Sequence, residues 1–469
     1  MAKIFHVTIV GGGMTGLSAA FYLHKAVSEH RLPVRLTLLE ACDRLGGKVF
    51  TVYRDGFIIE QGPDSLLARK TAGPQLMADL GLADDTVRNQ TGKSYILHGR
   101  RLYAVPEGAV MGIPTKWTPF AITPLISPAG KLRALLGDLL LPRSPKQADL
   151  SAGQFFRRRL GNELVDRLIE PLLSGIYAGN IDHMSLMSTF PQFYYQEQKY
   201  RSLMIGMKKT APPSRKEAKP QGAFMTLRQG LARMVTALAE QLPPDTIRLG
   251  HAVEQLHRLS DGRYRLGLAD GTAIEADAVI LAVPFRRAAR ILSEAPLSDL
   301  PPEAKPTSVA TVALAFDADD IDIPYEGTGF VVPRTAPYTI TACTWTHKKW
   351  PHTAPEGKVL IRCYVGRAGD NTIVNEPDEQ IVRQVIRDIH TITPVKGEPL
   401  FHVITRWRNG MPQYGVGHRQ WLQQLYERMD RYYPGVRLAG SSYEGVGLPD
   451  CIDQGKKAAE AILKKYAGR

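Results

Sequence analysis

Cysteine is scarce in this sequence. The 469 residues contain four, Cys42, Cys343, Cys363 and Cys451, and no two of them form a C-x-x-C pair. Thiols scattered in this way provide neither the spacing of a zinc site nor a disulfide framework. We therefore expect reduced thiols and no bound metal.

Long apolar runs are missing as well. No uncharged stretch approaches the roughly 18 residues that a membrane-spanning helix requires. Residues 1–3 lead directly into an apolar strand, which is unlike a secretory signal peptide. The sequence therefore predicts a cytoplasmic protein. Its 44% hydrophobic content suffices for a large core, divided between about two or three lobes.

Acidic residues are fewer than basic ones. The sequence has 46 aspartates and glutamates against 59 lysines and arginines, which gives a formal net charge of +13. This excess suits a polyanionic partner: nucleic acid, an anionic membrane, or a small substrate with several carboxylates. No nucleic-acid-binding motif accompanies the charge, so we expect no nucleic-acid partner. The basic clusters are Arg157, Arg158 and Arg159, then Lys199 and Arg201, then Lys208, Lys209, Arg215, Lys216 and Lys219.

A glycine-rich turn lies near the start of the chain. Apolar residues 7–10 run into a G-x-G-x-x-G pattern that opens a helix. Glycines at this spacing allow a tight turn, close approach of the backbone to a pyrophosphate, and close packing of helix on strand. The helix N-terminus then directs its free N–H groups at the anion. The turn consists of Gly11, Gly12, Gly13, Met14, Thr15 and Gly16.

A second strand, residues 36–39, ends in Glu40, at a distance that fits a βαβ unit and places a carboxylate beneath a ribose diol. Arg44, Gly47 and Lys48 follow within eight residues. A cation and glycines at this place suit a second, longer phosphate-bearing cofactor arm. Residues 40–48 resemble the E-x-x-x-R-x-G-G signature of the flavin-containing amine oxidase superfamily, and that resemblance implies FAD.

The C-terminal segment carries another glycine loop. Residues 436–440 form a strand ending in glycine, residues 444–450 a loop, and residues 452–466 a helix. A glycine-lined loop that feeds a helix N-terminus suits closure over a long cofactor. Two glycine sites at opposite ends of the chain, acting on one ligand, predict an interrupted domain.

The predicted fold is therefore α/β. It combines a discontinuous Rossmann-like FAD-binding domain of the amine-oxidase type with a β-sheet substrate domain and a helical lobe. The FAD-binding segments are residues 1–74, 223–300 and 405–469. The helical lobe is 75–222, with a mobile loop at 208–222 rich in proline and charge, and the substrate-binding sheet is 301–404.

The helical lobe contains an apolar stretch interrupted by prolines, which predicts a pair of short amphipathic helices. Two interpretations remain open: packing against the neighbouring lobe, or a monotopic face lying on a membrane. The apolar residues are Trp117, Phe120, Leu125, Ile126, Leu132, Leu135, Leu136, Leu139 and Leu140.

Over essentially its whole length the sequence resembles the bacterial protoporphyrinogen/coproporphyrinogen oxidase family, in particular the soluble Gram-positive branch. The matching motifs are residues 11–16, 40–48, 60–65, 170–179 and 444–455. The motif at 170–179 separates this family from amine oxidases and carotenoid desaturases. The resemblance implies oxidation of coproporphyrinogen III, before iron insertion, in heme biosynthesis.

The same resemblance implies the FAD contacts. No cysteine or histidine is placed to tether the ring, so the cofactor is expected to be non-covalent. Some relatives carry an arginine where this chain has Asp64, so a substrate clamp there is not transferable. The implied contacts are the six residues of the first turn, Glu40, Ala41, Arg44, Gly47, Lys48, Gly62, Pro63, Asp64, Ser65, the Val253 backbone, Trp407, Leu448, Pro449 and Asp450.

Coproporphyrinogen carries four propionates, so a basic cavity mouth is expected. Lys70 is the first candidate for a propionate contact and Arg69 the second, although either also fits a solvated surface charge. The loop containing Gly175, Ile176 and Tyr177, together with Tyr364, is expected in the cavity. No acid–base constellation is visible and no catalytic residue is assigned, because hydride transfer to flavin requires mainly orientation.

The implied partners are coproporphyrinogen III, dioxygen, the iron-inserting chelatase in transient contact, and a peripheral anionic membrane. Three other functions remain open. The protein could oxidise protoporphyrinogen IX, it could be another flavin amine oxidase or desaturase, or it could be a flavin-bearing tetrapyrrole carrier without activity. A desaturase would need an apolar cavity, whereas this chain is basic.

Overall fold

A computed structural model describes residues 4–89, 92–145, 149–210, 222–292, 294–300 and 303–467. Most of the mobile loop predicted at 208–222 lies outside the described residues.

The strands are β1 Phe5–Val10, β2 Val34–Leu39, β3 Thr51–Arg54, β4 Phe57–Glu60, β5 Leu66–Leu67, β6 Thr86–Arg88, β7 Tyr95–His98, β8 Arg101–Ala104, β9 Ala109–Val110, β10 Ile113–Pro114, β11 Phe224–Leu227, β12 Ile247–Arg248, β13 Val253–Arg258, β14 Tyr264–Leu268, β15 Ala273–Ala276, β16 Ala278–Leu281, β17 Thr307–Asp317, β18 Gly329–Val331, β19 Ile340–Trp345, β20 Lys358–Val365, β21 Phe401–Met411 and β22 Val436–Leu438.

Eight of the helices, α3 to α10, follow one another between β10 and β11, and the others lie between strands or at the end of the chain. They are α1 Met14–His30, α2 Ala72–Asp79, α3 Trp117–Ile122, α4 Pro128–Leu140, α5 Ala152–Leu160, α6 Asn162–Leu164, α7 Glu170–Tyr177, α8 Leu186–Thr189, α9 Pro191–Tyr200, α10 Leu203–Thr210, α11 Ala232–Glu240, α12 Phe285–Ile291, α13 Thr346–Lys349, α14 Asp378–Ile392, α15 His418–Tyr432 and α16 Leu448–Ala467.

A five-stranded parallel sheet is assembled from distant parts of the chain, in the order β12-β2-β1-β16-β22. Val7 of β1 lies opposite Leu36 of β2 on one side and Ala278 of β16 on the other. β1 and β16 are almost entirely buried, as expected for central strands of a parallel sheet covered on both faces. The discontinuous Rossmann-like arrangement predicted from the sequence is present.

The first and last helices pack against each other at glycine. A Cβ at Gly455 of α16 would lie 2.3 Å from the Thr15 carbonyl oxygen of α1. The absence of a side chain there lets the two backbones approach closely. The two glycine segments at the ends of the chain thereby become neighbours.

The second large sheet has seven strands in the order β21-β17-β20-β19-β18-β7-β8. It corrects two predicted boundaries. β7 and β8 fall inside residues 75–222, which were expected to be helical. These strands have only four residues each, too few to show an alternating pattern. The boundary placed between residues 404 and 405 cuts through β21, which belongs to this sheet.

The predicted pair of amphipathic helices corresponds to α3 and α4. Buried polar groups anchor the inward-facing side of α4. Asp138 accepts hydrogen bonds from the Ser202 hydroxyl and from the Leu203 N–H, the latter at 2.8 Å, and Arg159 forms a fully buried ion pair with Glu197. Phe120, Leu125 and Ile126 enter the core.

Other apolar residues of this pair face outward, so packing against the neighbouring lobe accounts for only part of the stretch, and a membrane-facing surface stays a prediction. In the described part of the chain, no helix is both long and apolar enough to cross a bilayer. The exposed large apolar residues of α3 and α4 are Trp117, Ile122, Leu132, Leu136, Leu139 and Leu140.

Candidate flavin and substrate site

The glycine turn between β1 and α1 has the geometry of an anion site. Gly11 has φ +105°, and a Cβ at Gly16 would lie 1.9 Å from the Gly11 carbonyl oxygen. A Cβ at Gly13 would meet no atom within 4 Å. α1 begins after Gly13 without a side-chain cap and without an acidic residue in its first turn. Its N-terminal N–H groups are therefore available to an anion.

Residues 40–48 fold onto this turn. The Glu40 carboxylate accepts the Gly12 N–H at 2.6 Å and the Cys42 N–H at 2.9 Å. The Gly46 N–H donates to the Gly12 carbonyl oxygen at 2.8 Å. A Cβ at Gly47 would lie 3.2 Å from the Gly13 Cα. The two glycine segments predicted to bind the cofactor are thus in direct contact.

The arginine of this segment shapes the loop itself. Arg44 donates to the Gly47 carbonyl oxygen at 3.0 Å, and its guanidinium carbon lies 4.6 Å from the centre of the Phe50 ring. Ala41 is exposed. Val253 is buried at the start of β13, where its carbonyl oxygen accepts a hydrogen bond from Arg287 at 3.0 Å. A contact between the Val253 backbone and a cofactor stays a prediction.

The seven-stranded sheet holds the turn that contains Gly62. Trp407 Nε1 and Thr311 Oγ1 both donate to the Gln61 carbonyl oxygen, at 3.0 and 3.1 Å. Arg362 donates to the Glu60 carbonyl oxygen at 2.8 Å. The backbone immediately before Gly62 is therefore fixed by three side chains from three positions on one face of this sheet.

Gly62 also touches the Lys48 segment, because a Cβ there would lie 1.9 Å from the Lys48 carbonyl oxygen and 3.7 Å from the Trp407 ring. The Lys48 ammonium donates to the Gly410 carbonyl oxygen. Burial lowers the pKa of Lys48. Three predicted cofactor residues, Lys48, Gly62 and Trp407, are thus brought together.

The Asp64 carboxylate is directed at α13. It pairs with the Lys349 ammonium at 2.8 Å, and it accepts hydrogen bonds from Trp350 Nε1 at 3.3 Å and from the Ser65 hydroxyl at 2.7 Å. Burial opposes ionisation, but Lys349 and Arg362 hold the pKa of Asp64 well below its usual range. Pro63 is half-buried beside it. A cofactor contact of Asp64 stays a prediction.

A second carboxyl, Glu60, is buried behind this turn. It accepts the Leu231 N–H at 2.6 Å and the Thr51 hydroxyl at 3.0 Å. Burial raises the pKa of Glu60 to about 7, despite these hydrogen bonds and the nearby Arg362. A cavity with room for about one water molecule adjoins Glu60 and Asp64.

The C-terminal loop places Leu448, Pro449 and Asp450 in the first turn of α16. Lys70 Nζ lies 2.6 and 2.7 Å from the two carboxylate oxygens of Asp450. The leading candidate for a propionate contact is therefore already paired with a predicted cofactor residue. Arg69, the second candidate, is exposed.

The remaining predicted substrate residues are distributed over two elements. Gly175, Ile176 and Tyr177 form the last turn of α7, so the prediction of a loop is corrected, because the chain leaves the helix only at Ala178 with φ +49°. Gly175 and Ile176 are exposed. Tyr177 is buried, and burial together with Asp450 raises its pKa well above the usual value.

Tyr364 lies on β20. Its hydroxyl accepts hydrogen bonds from Arg362 Nε at 2.9 Å and from Nη2 at 2.5 Å. Sequence reasoning missed Arg362 and Lys349, because neither belongs to a recognisable motif. The only signal was a charged residue within an otherwise apolar strand at 358–365. No cluster of potential metal ligands occurs among the described residues.

Comparison with known proteins assigns this chain to a family. Residues 14–463 match the model of the flavin-containing amine oxidoreductases. The chain is 52% identical to the coproporphyrinogen III oxidase of Bacillus subtilis (strain 168), with 98% of each chain covered. It is 43% identical to that of Staphylococcus aureus (strain NCTC 8325 / PS 47), covering 97% of this chain and 98% of that one.

The chain belongs to the porphyrinogen oxidase branch of the flavin-containing amine oxidoreductase family. A solved structure of this branch, assigned as a protoporphyrinogen oxidase from Exiguobacterium sp. 255-15, has a TM-score of 0.88 at 41% identity and covers 99% of both chains. A putrescine oxidase variant, at 17% identity and a TM-score of 0.69 over 98% of this chain and 99% of that one, shares the fold. The predicted family, fold class and flavin-dependent oxidase activity are confirmed.

Glu60 generates a prediction on stability. Because its pKa is about 7 in the folded protein against an ordinary 4.5, folding favours the protonated form. The contribution of Glu60 to the free energy of unfolding is complete below pH 4.5, where the carboxyl is protonated in both the folded and the unfolded state. This contribution is lost as the pH rises through 7, because the folded protein must then ionise a buried carboxyl. Relative to Glu60→Gln, wild type should lose about 3 kcal/mol of unfolding free energy between pH 4.5 and 8.

Denaturant unfolding of both proteins across this pH range tests the expectation. The charged or titratable groups that act on Glu60 are Arg362, Asp64 and Tyr53, and all three remain in the Glu60→Gln variant. Parallel stability curves for the two proteins would show that Glu60 does not titrate in this range.

Proposed function

We propose that this chain catalyses the oxygen-dependent oxidation of coproporphyrinogen III to coproporphyrin III in heme biosynthesis. The observation that carries the proposal is its similarity, over nearly the full length, to two proteins named for that activity. The reaction would remove six electrons in three flavin cycles, with dioxygen as the final acceptor and three molecules of hydrogen peroxide released.

The residues present fit FAD as the flavin. The open space at Gly13 and the uncapped start of α1 suit a pyrophosphate, and Glu40 lies at the place where a βαβ unit binds a ribose. When bound, FAD supplies the hydride acceptor and the reaction with dioxygen. The task of the protein is then to bind and orient the porphyrinogen.

The mode of FAD binding is testable with two glycine variants. Gly13→Leu should fold but contain no flavin, because its side chain enters open space that a pyrophosphate would need. Gly16→Leu should instead lower the thermal unfolding midpoint, because even its Cβ overlaps the Gly11 carbonyl oxygen. Absorbance at the flavin band and thermal unfolding of both variants distinguish the two effects.

Acid precipitation of wild type tests the attachment. All yellow colour should appear in the supernatant, where chromatography should identify FAD. Flavin that remains in the pellet would mean a covalent bond and would contradict the proposal.

Substrate preference follows from charge. Protoporphyrinogen IX has vinyl groups in place of two of the propionates, so cations that bind four carboxylates would lose partners with that substrate. The specificity constant kcat/KM should be higher for coproporphyrinogen III by about tenfold or more, at roughly 1 to 2 kcal/mol for each lost contact. Steady-state assays with both porphyrinogens measure this ratio.

Ionic strength provides the control for this assay. The preference should shrink toward 1 M salt, where the screening length falls to about 3 Å. A ratio near one at low salt, or a preference for protoporphyrinogen IX, would favour the alternative substrate. A protein that binds coproporphyrinogen III without bleaching its flavin anaerobically would instead be a carrier.

We infer that the product passes to the iron-inserting chelatase, and that the outward face of α3 and α4 contacts an anionic membrane. Ile122 and Leu140 on this face are 76% and 65% exposed. Cations lie at its edge, because Lys131 donates to the Ala121 carbonyl oxygen at 2.6 Å and Arg201 to that of Leu140 at 2.8 Å. An apolar face with basic neighbours suits an anionic lipid surface.

Vesicle sedimentation tests the membrane contact. Wild type should bind phosphatidylglycerol vesicles more than phosphatidylcholine vesicles, and Leu136→Glu should weaken this binding about tenfold, because it places a carboxylate in the apolar face. Leu400→Glu is the matched control, since Leu400 is similarly exposed (47% against 45%) but lies outside α3 and α4. Equal binding of both variants would contradict the assignment.

A further inference from the structure

Lys70 and Asp450 form an ion pair between segments far apart in the sequence. Lys70 follows β5, and Asp450 lies in the first turn of α16, 380 residues later. The ammonium contacts both carboxylate oxygens, at 2.6 and 2.7 Å. The side chains are 42% and 25% exposed, so a solute can reach both partners.

The two partners are held unequally. Asp450 also accepts the Gly447 N–H at 3.3 Å and lies at the N-terminus of a 20-residue helix, which favours a negative charge. A Cβ at Gly445 would lie 2.7 Å from the Asp450 Cβ, so the carboxylate side chain rests on the glycine loop. Within the described residues, the Lys70 ammonium has Asp450 as its only hydrogen-bond partner. Lys70 is therefore the member of the pair that is free to change its partner.

The pair also lies beside other residues expected to contact the substrate. The negative charge of Asp450 acts on Tyr177 at the end of α7, and the two preceding residues of that helix are exposed. A carboxylate that reaches Lys70 from solvent would enter next to this turn. Such a ligand would present to Lys70 the same functional group, a carboxylate, that Asp450 presents.

We propose that Asp450 is an internal carboxylate that occupies Lys70 until a propionate of the porphyrin displaces it. This inference rests on the proposed function. On displacement, Asp450 keeps the Gly447 N–H and the helix N-terminus as partners, so its charge stays compensated. No covalent bond changes, because one carboxylate replaces another on the same ammonium. Asp450 thus sets the affinity of Lys70 for the substrate by competing with it.

Competition predicts effects of opposite sign for the two partners. Binding of coproporphyrin III, the oxidised product, to the flavin-loaded protein is measured by fluorescence titration. Lys70→Ala should raise the Kd about threefold to tenfold. Asp450→Asn should lower the Kd about twofold to fivefold, which corresponds to the strength of an exposed ion pair. A pair with a purely structural role would weaken binding in both variants.

Matched variants isolate the effect. Asp453→Asn makes the same substitution one turn further along α16, where Asp453 pairs with Lys457 at 2.7 Å, and it should leave the Kd unchanged. Asp450→Ser retains an acceptor for the Gly447 N–H and should reproduce the tighter binding if Asp450→Asn loses flavin. In the Lys70→Ala background, Asp450→Asn should not change the Kd for coproporphyrin III, because the ammonium with which Asp450 pairs is then missing.

The outcomes separate this inference from the proposed function. Coproporphyrin III binding that Asp450→Asn leaves unchanged or weakens, with Asp450→Ser in agreement, overturns the competition and leaves the function standing. Wild type that neither oxidises coproporphyrinogen III nor binds coproporphyrin III overturns the proposed function and this inference with it, whereas an active wild type that binds no coproporphyrin III overturns this inference alone. Tighter binding in both Asp450 variants, dependent on Lys70, supports both.

Discussion

The structure depends on how one peptide segment is held between two sheets. The carbonyl oxygens of Glu60 and Gln61 point at the seven-stranded sheet, where Arg362, Thr311 and Trp407 supply the hydrogen bonds. Buried carbonyls without such partners would cost free energy. The same contacts fix Gly62 against the Lys48 segment. The candidate flavin site is therefore positioned jointly by the parallel sheet and by the second sheet.

Charge balance around this segment explains why its acids behave differently. Asp64 has two cations nearby, Lys349 and Arg362, and remains ionised although its side chain is only 13% exposed. Glu60 is surrounded mainly by neutral donors, so burial dominates and shifts its pKa toward neutrality. The pKa values of two carboxyls four residues apart are thus shifted in opposite directions. The difference between the two pKa shifts could not be predicted from the positions of Glu60 and Asp64 in the sequence, because cations on α13 and β20 cause it.

The parts of the site that follow local rules could be predicted from the sequence. The turn at Gly11 and Gly16 has one physical solution once the strand and helix are recognised, and the structure has that geometry. The pairing of Lys70 with Asp450 was not predictable, since it joins residues at opposite ends of the chain and neither is unusual locally. β7 and β8 were not predicted, because they are short and lie within a stretch, residues 75–222, whose overall apolar pattern was interpreted as helical.

The packing of α16 on α1 has a consequence for biosynthesis of the protein. β22 and α16 leave the ribosome last among the described elements, yet they complete the edge of the parallel sheet and cover α1 at Gly455. Until then β16 has no neighbour on that side, and the apolar face of α1 lacks its cover. Before α16 is synthesised, this open strand edge and this apolar helix face are surfaces that favour aggregation. The parallel sheet and the cover of α1 are accordingly complete only after α16 has been synthesised.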